Sequence, residues 1–105
     1  MEQEIAAIRQ KVVRSGLFVT AHADEEAAEE NISLHEIRES LLNGVIVEDY
    51  ADHRRGPCCL IYGRTSRGRH LHVVVTKEKE PVRIITVYEP KLPYWKTPTE
   101  RGGER

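Results

Sequence analysis

The spacing of apolar residues divides the chain into two halves with different periods. In the first, Ile5, Ile8 and Val12, with Val13 alongside, recur every three or four positions between Glu2 and Arg14, the repeat of one buried helical face. Gly16 follows as a C-cap. Leu17 to Val19 is extended, and Thr20 opens a second helix with Asp24, Glu25 and Glu26 near the positive end of its dipole. That helix ends near Asn31. Ser33 and Glu36 are spaced as a capping box for a third helix, which runs to Leu42 and buries Leu34, Ile37, Leu41 and Leu42 before Asn43-Gly44 stops it.

From Val45 the period falls to two. Val45–Tyr50, Cys58–Tyr62, His70–Thr76 and Val82–Tyr88 read as strands, separated by turn-rich segments at 52–57, 63–68 and 77–81. Connections this short, without a helix, make neighbouring strands antiparallel. The expected fold class is α+β: N-terminal helices packed on a four-stranded antiparallel meander, with one sheet face covered by helices. Residues 1–95 form a single domain. Tyr94 and Trp95 dock, and residues 96–105, rich in Pro, Lys and Gly, are expected to be a disordered tail.

Charge sharpens the division. Residues 1–52 carry twelve Asp and Glu against four Lys and Arg, while residues 53–105 carry twelve Lys and Arg against five acids. Between His53 and Lys77 there are six cations, three histidines and no acid. Such a basic half suits an anionic partner such as nucleic acid, although the two halves could equally neutralise each other across the fold. No apolar run approaches the roughly 18–20 residues that span a bilayer, so no membrane is implied. The acidic Met1-Glu-Gln-Glu start is unlike a secretory signal. Cys58 and Cys59, the only cysteines, point to opposite faces of a strand and are poorly placed to pair. Reduced thiols fit a cytoplasmic protein.

The candidate chemistry centres on histidine. His70 and His72, two apart on one strand, share a face with Val74 and Thr76, while Leu71, Val73 and Val75 line the other, better core face. The two imidazoles either sit on a polar sheet surface or serve acid–base chemistry. A metal site would need a third ligand, brought by folding from His22 or a cysteine, and no cofactor is called for. His22 stands at a helix N-terminus, where the dipole favours the neutral, proton-accepting imidazole, and a structural histidine fits there as well. His35 and His53 read as surface residues. Arg54, Arg55, Arg64, Arg67 and Arg69 flank the second strand and suggest a phosphate-gripping stripe. Tyr88, placed on one face with Thr86 and Ile84, could stack on a base or half-bury at the core edge. The cysteines read as packing residues.

The motifs Phe18-x-Thr-x-His22-Ala, Asn31-Ile-Ser33, Leu42-x-Gly44-x-Ile46, Gly56-Pro-Cys58, Gly63-Arg64, Gly68-Arg-x-Leu-His72-Val-Val and Thr86-x-Tyr88-x-Pro90 resemble, in order and spacing, a bacterial family described as domain of unknown function 4258, over residues 17–95. The resemblance implies a fold like the RelE and ParE toxins, related to metal-independent ribonucleases. It also implies a toxin–antitoxin role beside a small zinc-ribbon antitoxin-like protein. The matching positions that could act are His22, His72 and Tyr88.

Two functions follow as expectations. One is a metal-free endoribonuclease, acting on free or ribosome-bound RNA. His22 and His72 would be its acid–base pair, Tyr88 would orient or stack the substrate, and Arg64, Arg67, Arg69 and Arg55 would hold phosphate. The other is a non-catalytic binding module that docks a protein or nucleic acid through its basic sheet half. A meeting of His22 with His72 separates the two. If the helix carrying His22 covers the opposite sheet face, the catalytic constellation fails.

Overall fold

The computed structural model describes residues 2–102. Three helices, α1 (Glu2–Ser15), α2 (Ala21–Glu30) and α3 (Leu34–Asn43), pack on one face of a sheet built from β1 (Leu17–Val19), β2 (Val45–Tyr50), β3 (Cys58–Arg64), β4 (His70–Thr76) and β5 (Val82–Tyr88). The expected local signals are present. Gly16 takes φ +75° at the end of α1, Thr20 accepts the Ala23 amide as N-cap of α2, and Ser33 and Glu36 close a reciprocal capping box on α3. Ile5, Ile8 and Val12 are buried, whereas Leu34, expected in the core, is exposed.

The sheet differs from the expected meander. Its order is β1-β5-β4-β3-β2, five strands rather than four. β2 to β5 are antiparallel neighbours, but β1 pairs parallel with β5, Leu17 to Val19 against Val82 to Ile84. A three-residue strand is too short to announce itself by alternation, and a parallel partner more than sixty residues away has no local signature.

Because β1 ends at Val19, the edge of β5 beyond Ile84 would be open. α2 seals it. The Thr20 hydroxyl donates to the Ile84 carbonyl at 2.8 Å, and the amides of Val87 and Glu89 each donate at 3.0 Å to the carboxylates of Glu26 and Glu30. Two acids one helical turn apart match two amides two residues apart on a strand, because both repeats are about 5–7 Å. The acidic face of α2 is thus partly a substitute for a missing strand.

Core residues lie on both faces. Leu71, Val73, Val75, Ile61, Cys59, Val82, Ile84 and Val87 meet the helices. Cys58, Leu60 and Val74 face the other way, under Trp95. The cysteines therefore point apart, as expected. In β5 the register steps from Ile84 to Thr86 against Val75 to Val74, which makes Ile85 a bulge. Consequently Tyr88 and Thr86 do not share a face with Ile84, contrary to the simple alternation.

After Pro90, Trp95 docks as expected, but the chain beyond it departs from the expected disordered tail. Residues 91–102 fold back across the second sheet face and form a hairpin of β6 (Trp95–Thr97) and β7 (Glu100–Arg101). Trp95 is buried beneath it, and the Gly102 amide donates to the Tyr94 carbonyl at 2.8 Å. Residues 103–105, the rest of the expected disordered tail, lie outside the described residues. Among the described residues no helix is long and apolar enough to cross a membrane.

Candidate functional site

The hairpin decides the environment of His72. Strand alternation puts this imidazole on the face away from the helices, where it was expected either on a polar sheet surface or in acid–base chemistry, but it is fully buried. Its Nε2 lies 2.5 Å from the Pro98 carbonyl oxygen and its Nδ1 lies 3.1 Å from the Tyr88 hydroxyl. A carbonyl can only accept, so Nε2 carries the proton and donates it, and Nδ1 accepts from Tyr88. Trp95 stands edge-on to the ring, with centroids 4.4 Å apart. Burial holds the pKa of His72 below its ordinary value. His72 is thus a neutral, hydrogen-bonded pin that joins β4, β5 and the hairpin.

His22 lies elsewhere. It is on the exposed side of α2, with Nε2 3.3 Å from a Glu26 carboxylate oxygen. Ala23 and Ala27 of the same helix pack into the helix-side core with Leu71 and Val73. α2 therefore covers the face opposite His72, and the structure does not bring the two histidines together. Of the three expected acting residues, His72 and Tyr88 touch each other and His22 joins neither.

The expected arginine stripe is divided. Arg69 points inward: its guanidinium bridges Glu89 and, at 3.1 Å, Glu36, and donates to the carbonyls of Glu30 and Asn31. It ties the α2–α3 junction to the end of β5, and its donors are committed within the fold. Arg54 and Arg55 lie in the β2–β3 loop at one end of the sheet, while Arg64 and Arg67 lie at the β3–β4 turn at the other. Seven-residue strands separate the ends by roughly 20 Å, so no single phosphate meets both groups. Burial pushes the Cys59 thiol up to about 12 and raises Cys58 as well, which leaves neither as a nucleophile. Among the described residues no three of His, Cys, Asp and Glu gather as a metal site requires.

What the hairpin creates is a cleft of about 700 Å³ between itself and the sheet. Tyr50, Val74, Thr86 and Tyr88 form its floor, Tyr94, Trp95 and Leu92 its outer wall, and Glu30, Glu89, Lys91 and Arg101 its polar rim. Glu48 organises the floor. It receives two bonds of 2.8 Å from Arg101 and one from the Tyr50 hydroxyl, and Arg101 lies 4.4 Å above the Trp95 ring. These contacts lower the pKa of Glu48, the Arg101 hydrogen bonds foremost, while burial raises those of Tyr50 and Tyr88. The rings are therefore neutral phenols at physiological pH.

Tyr88 was the one cleft residue among the expected site positions. Tyr50, Tyr94 and Trp95 were legible as aromatics near strand ends, but their convergence required the hairpin to fold back. A second ring pair lies beyond the cleft, where the Tyr62 hydroxyl is 2.6 Å from His70 Nδ1 and the rings stack 5.7 Å apart.

Comparison with curated proteins and with solved structures returned no match. A family model does match, over residues 19–89, the stretch that carries His22, α3, the β2–β5 strands and Tyr88. The chain belongs to the family described as domain of unknown function 4258.

Proposed function

We propose that the chain is a small binding module for single-stranded nucleic acid, with a base held in the aromatic cleft between sheet and hairpin. The observation that carries this reading is the cleft itself: three tyrosines and a tryptophan around a volume of about 700 Å³, with Lys91 and Arg101 on the rim. Ring faces take any base, and each stacked base is worth about 1–3 kcal/mol. Leu92 and Tyr94, large residues of the cleft's outer wall, are exposed. RNA is the form of partner that the family resemblance implies.

RNA cleavage is the second reading, and one contact favours it: the Tyr88 hydroxyl on the cleft floor is hydrogen-bonded to His72. A toxin built this way would resemble RelE in fold, act on RNA or the ribosome, and be held in check by a small zinc-ribbon antitoxin-like protein. Its chemistry would need the hairpin to lift from His72.

One experiment separates the readings. The protein is titrated with a single-stranded RNA and with its duplex in EDTA, following the fluorescence of Trp95, the only tryptophan. Binding should be confined to the single strand, leave it intact, and weaken about 5- to 100-fold in Tyr94→Ala. Products ending in 2′,3′-cyclic phosphate, lost in His72→Ala and Tyr88→Phe, would replace the binding reading with the catalytic one. Equal affinity for duplex, or none for either, would reject the cleft as a base site.

A further inference from the structure

Beside the aromatic cleft is a smaller pocket of about 270 Å³, walled by Gly68, Arg69, His70, Glu89, Pro90 and Lys91. Glu89 and Lys91 belong to both walls, so the two depressions form one groove. From the geometry of this groove we infer that the smaller pocket is a phosphate subsite. A nucleotide would place its base among Tyr88, Tyr94 and Trp95 and its phosphate against His70, Arg64 and Lys91. This deepens the proposed function and rests on it for the position of the base.

The argument is one of uncommitted donors beside satisfied acids. Glu89, the pocket's carboxylate, is engaged at one oxygen by the Arg69 guanidinium, and its other oxygen forms a 3.9 Å ion pair with Lys91 that leaves the ammonium's hydrogen-bond donors open. Arg64 is paired with His70 across the β3–β4 ladder, and its guanidinium lies against Gly68, where a methyl group would be 3.7 Å from Nη2. Among the described residues Arg64 has no acid partner; only its backbone is bonded, to the Asn43 amide. The forked guanidinium is therefore available for paired bonds to phosphate oxygens.

His70 completes the set. Tyr62 stacks on the imidazole and its hydroxyl engages Nδ1 at 2.6 Å, which fixes the ring. Nε2 makes no bond among the described residues, and in the tautomer where Tyr62 donates to Nδ1 it carries the proton and is the donor left for a ligand. Gly68, at φ +82°, has no side chain to cover the Arg64 guanidinium beside it. Phosphate is favoured over the carboxylate of a peptide because the anion pocket opens directly into a chamber lined by four aromatic rings. The spacing of base and phosphate within one nucleotide suits two adjoining pockets.

The test uses the whole chain and three probes: adenosine, AMP and inorganic phosphate. Trp95 fluorescence reports the base cleft, and the ring carbon–proton NMR signals of His70 report the subsite. AMP should bind about tenfold more tightly than adenosine. Arg64→Ala and His70→Ala should each remove most of that advantage while leaving adenosine unchanged. Inorganic phosphate should shift the His70 signals in the wild type and not in Arg64→Ala.

Equal affinity for adenosine and AMP would overturn the subsite and leave the base cleft standing. Failure of both to bind would overturn the cleft, and the phosphate titration would then decide the subsite alone, with unmoved His70 signals rejecting it. Tighter binding of an acetylated Tyr-Glu dipeptide than of AMP would assign the groove to a peptide instead. Both substitutions remove exposed side chains, and the backbone bonds of Arg64 to Asn43 remain available, so the fold should persist.

Discussion

Leu71 and His72 are consecutive residues of β4, both fully buried, and they face opposite ways. Leu71 belongs to the apolar core between sheet and helices, which also holds Ile8, Val12, Ile37 and Leu41. His72 lies under a single hairpin, held by one indole, one tyrosine hydroxyl and one backbone carbonyl. The helix side is apolar and built from elements that have nowhere else to bury their stripes. The hairpin side mixes aromatic rings with the Glu48–Arg101 pair and leaves a cleft. Equal burial therefore conceals unequal dependence. One layer should fail only with the whole domain, whereas the other should be able to open by itself.

The strongest test of that contrast is Leu71→Ala. It should cost about 2–5 kcal/mol in urea unfolding, with an unchanged slope, as expected for a cavity in the shared core. Arg69→Ala comes next, at about 2 kcal/mol, because it strips charge-assisted bonds from Glu89 and Glu36 and leaves two carbonyls unpaired at the joint between the layers. Arg67→Ala, removing an exposed cation from the same turn, should change stability by under about 0.5 kcal/mol. Equal losses for the two would show that Arg69 is not a structural clamp.

Trp95→Ala should be milder for the domain than the roughly 3–5 kcal/mol usual for a buried aromatic. Its cost is capped by whatever free energy holds the hairpin down. Hydrogen exchange provides the readout. The Gly102 amide, bonded to the Tyr94 carbonyl, should lose protection while those of β4 keep it. If all amides open together and stability falls as far as in Leu71→Ala, the two layers form one cooperative core.

The effect of pH is smaller and has a definite sign. Burial lowers the folded pKa of His72 below the ordinary 6.5, so on acidification the unfolded chain takes up this proton first. Stability contributed by the neutral, buried ring is fully present above about pH 6.5 and declines as pH falls below it. His72→Gln should flatten this decline below about pH 6.5; an unchanged slope would assign it to other groups. Among the variants that remove a contact, Arg101→Ala should cost least, about 0.5–1 kcal/mol, because its ion pair with Glu48 is partly solvated.

Much of this protein could be read along the chain. Helix starts and stops at Thr20, Ser33 and Asn31 depend on groups within a few residues, and so does the change of period at Val45. The alternation of Leu71, Val73 and Val75 against His70, His72 and Val74 identified the helix-facing side of β4 correctly. Membership of the family was legible for the same reason, in short motifs at fixed spacing.

The site was not. Whether His72 is a reagent or a pin depends on Pro98, twenty-six residues away, and on a segment whose Pro, Lys and Gly content reads as disorder. The face occupied by Tyr88 turns on a bulge at Ile85 that exists only in the pairing with β4. Arg69 resembles the other turn arginines until α2 and α3 bring Glu36 and two carbonyls to it. Periodicity and caps arise from local sterics and hydrogen bonds, so the chain alone determined them. Partners across the sheet are chosen by packing among distant elements, and that choice, made only in the tertiary structure, decided which polar groups were consumed and which were left for a ligand.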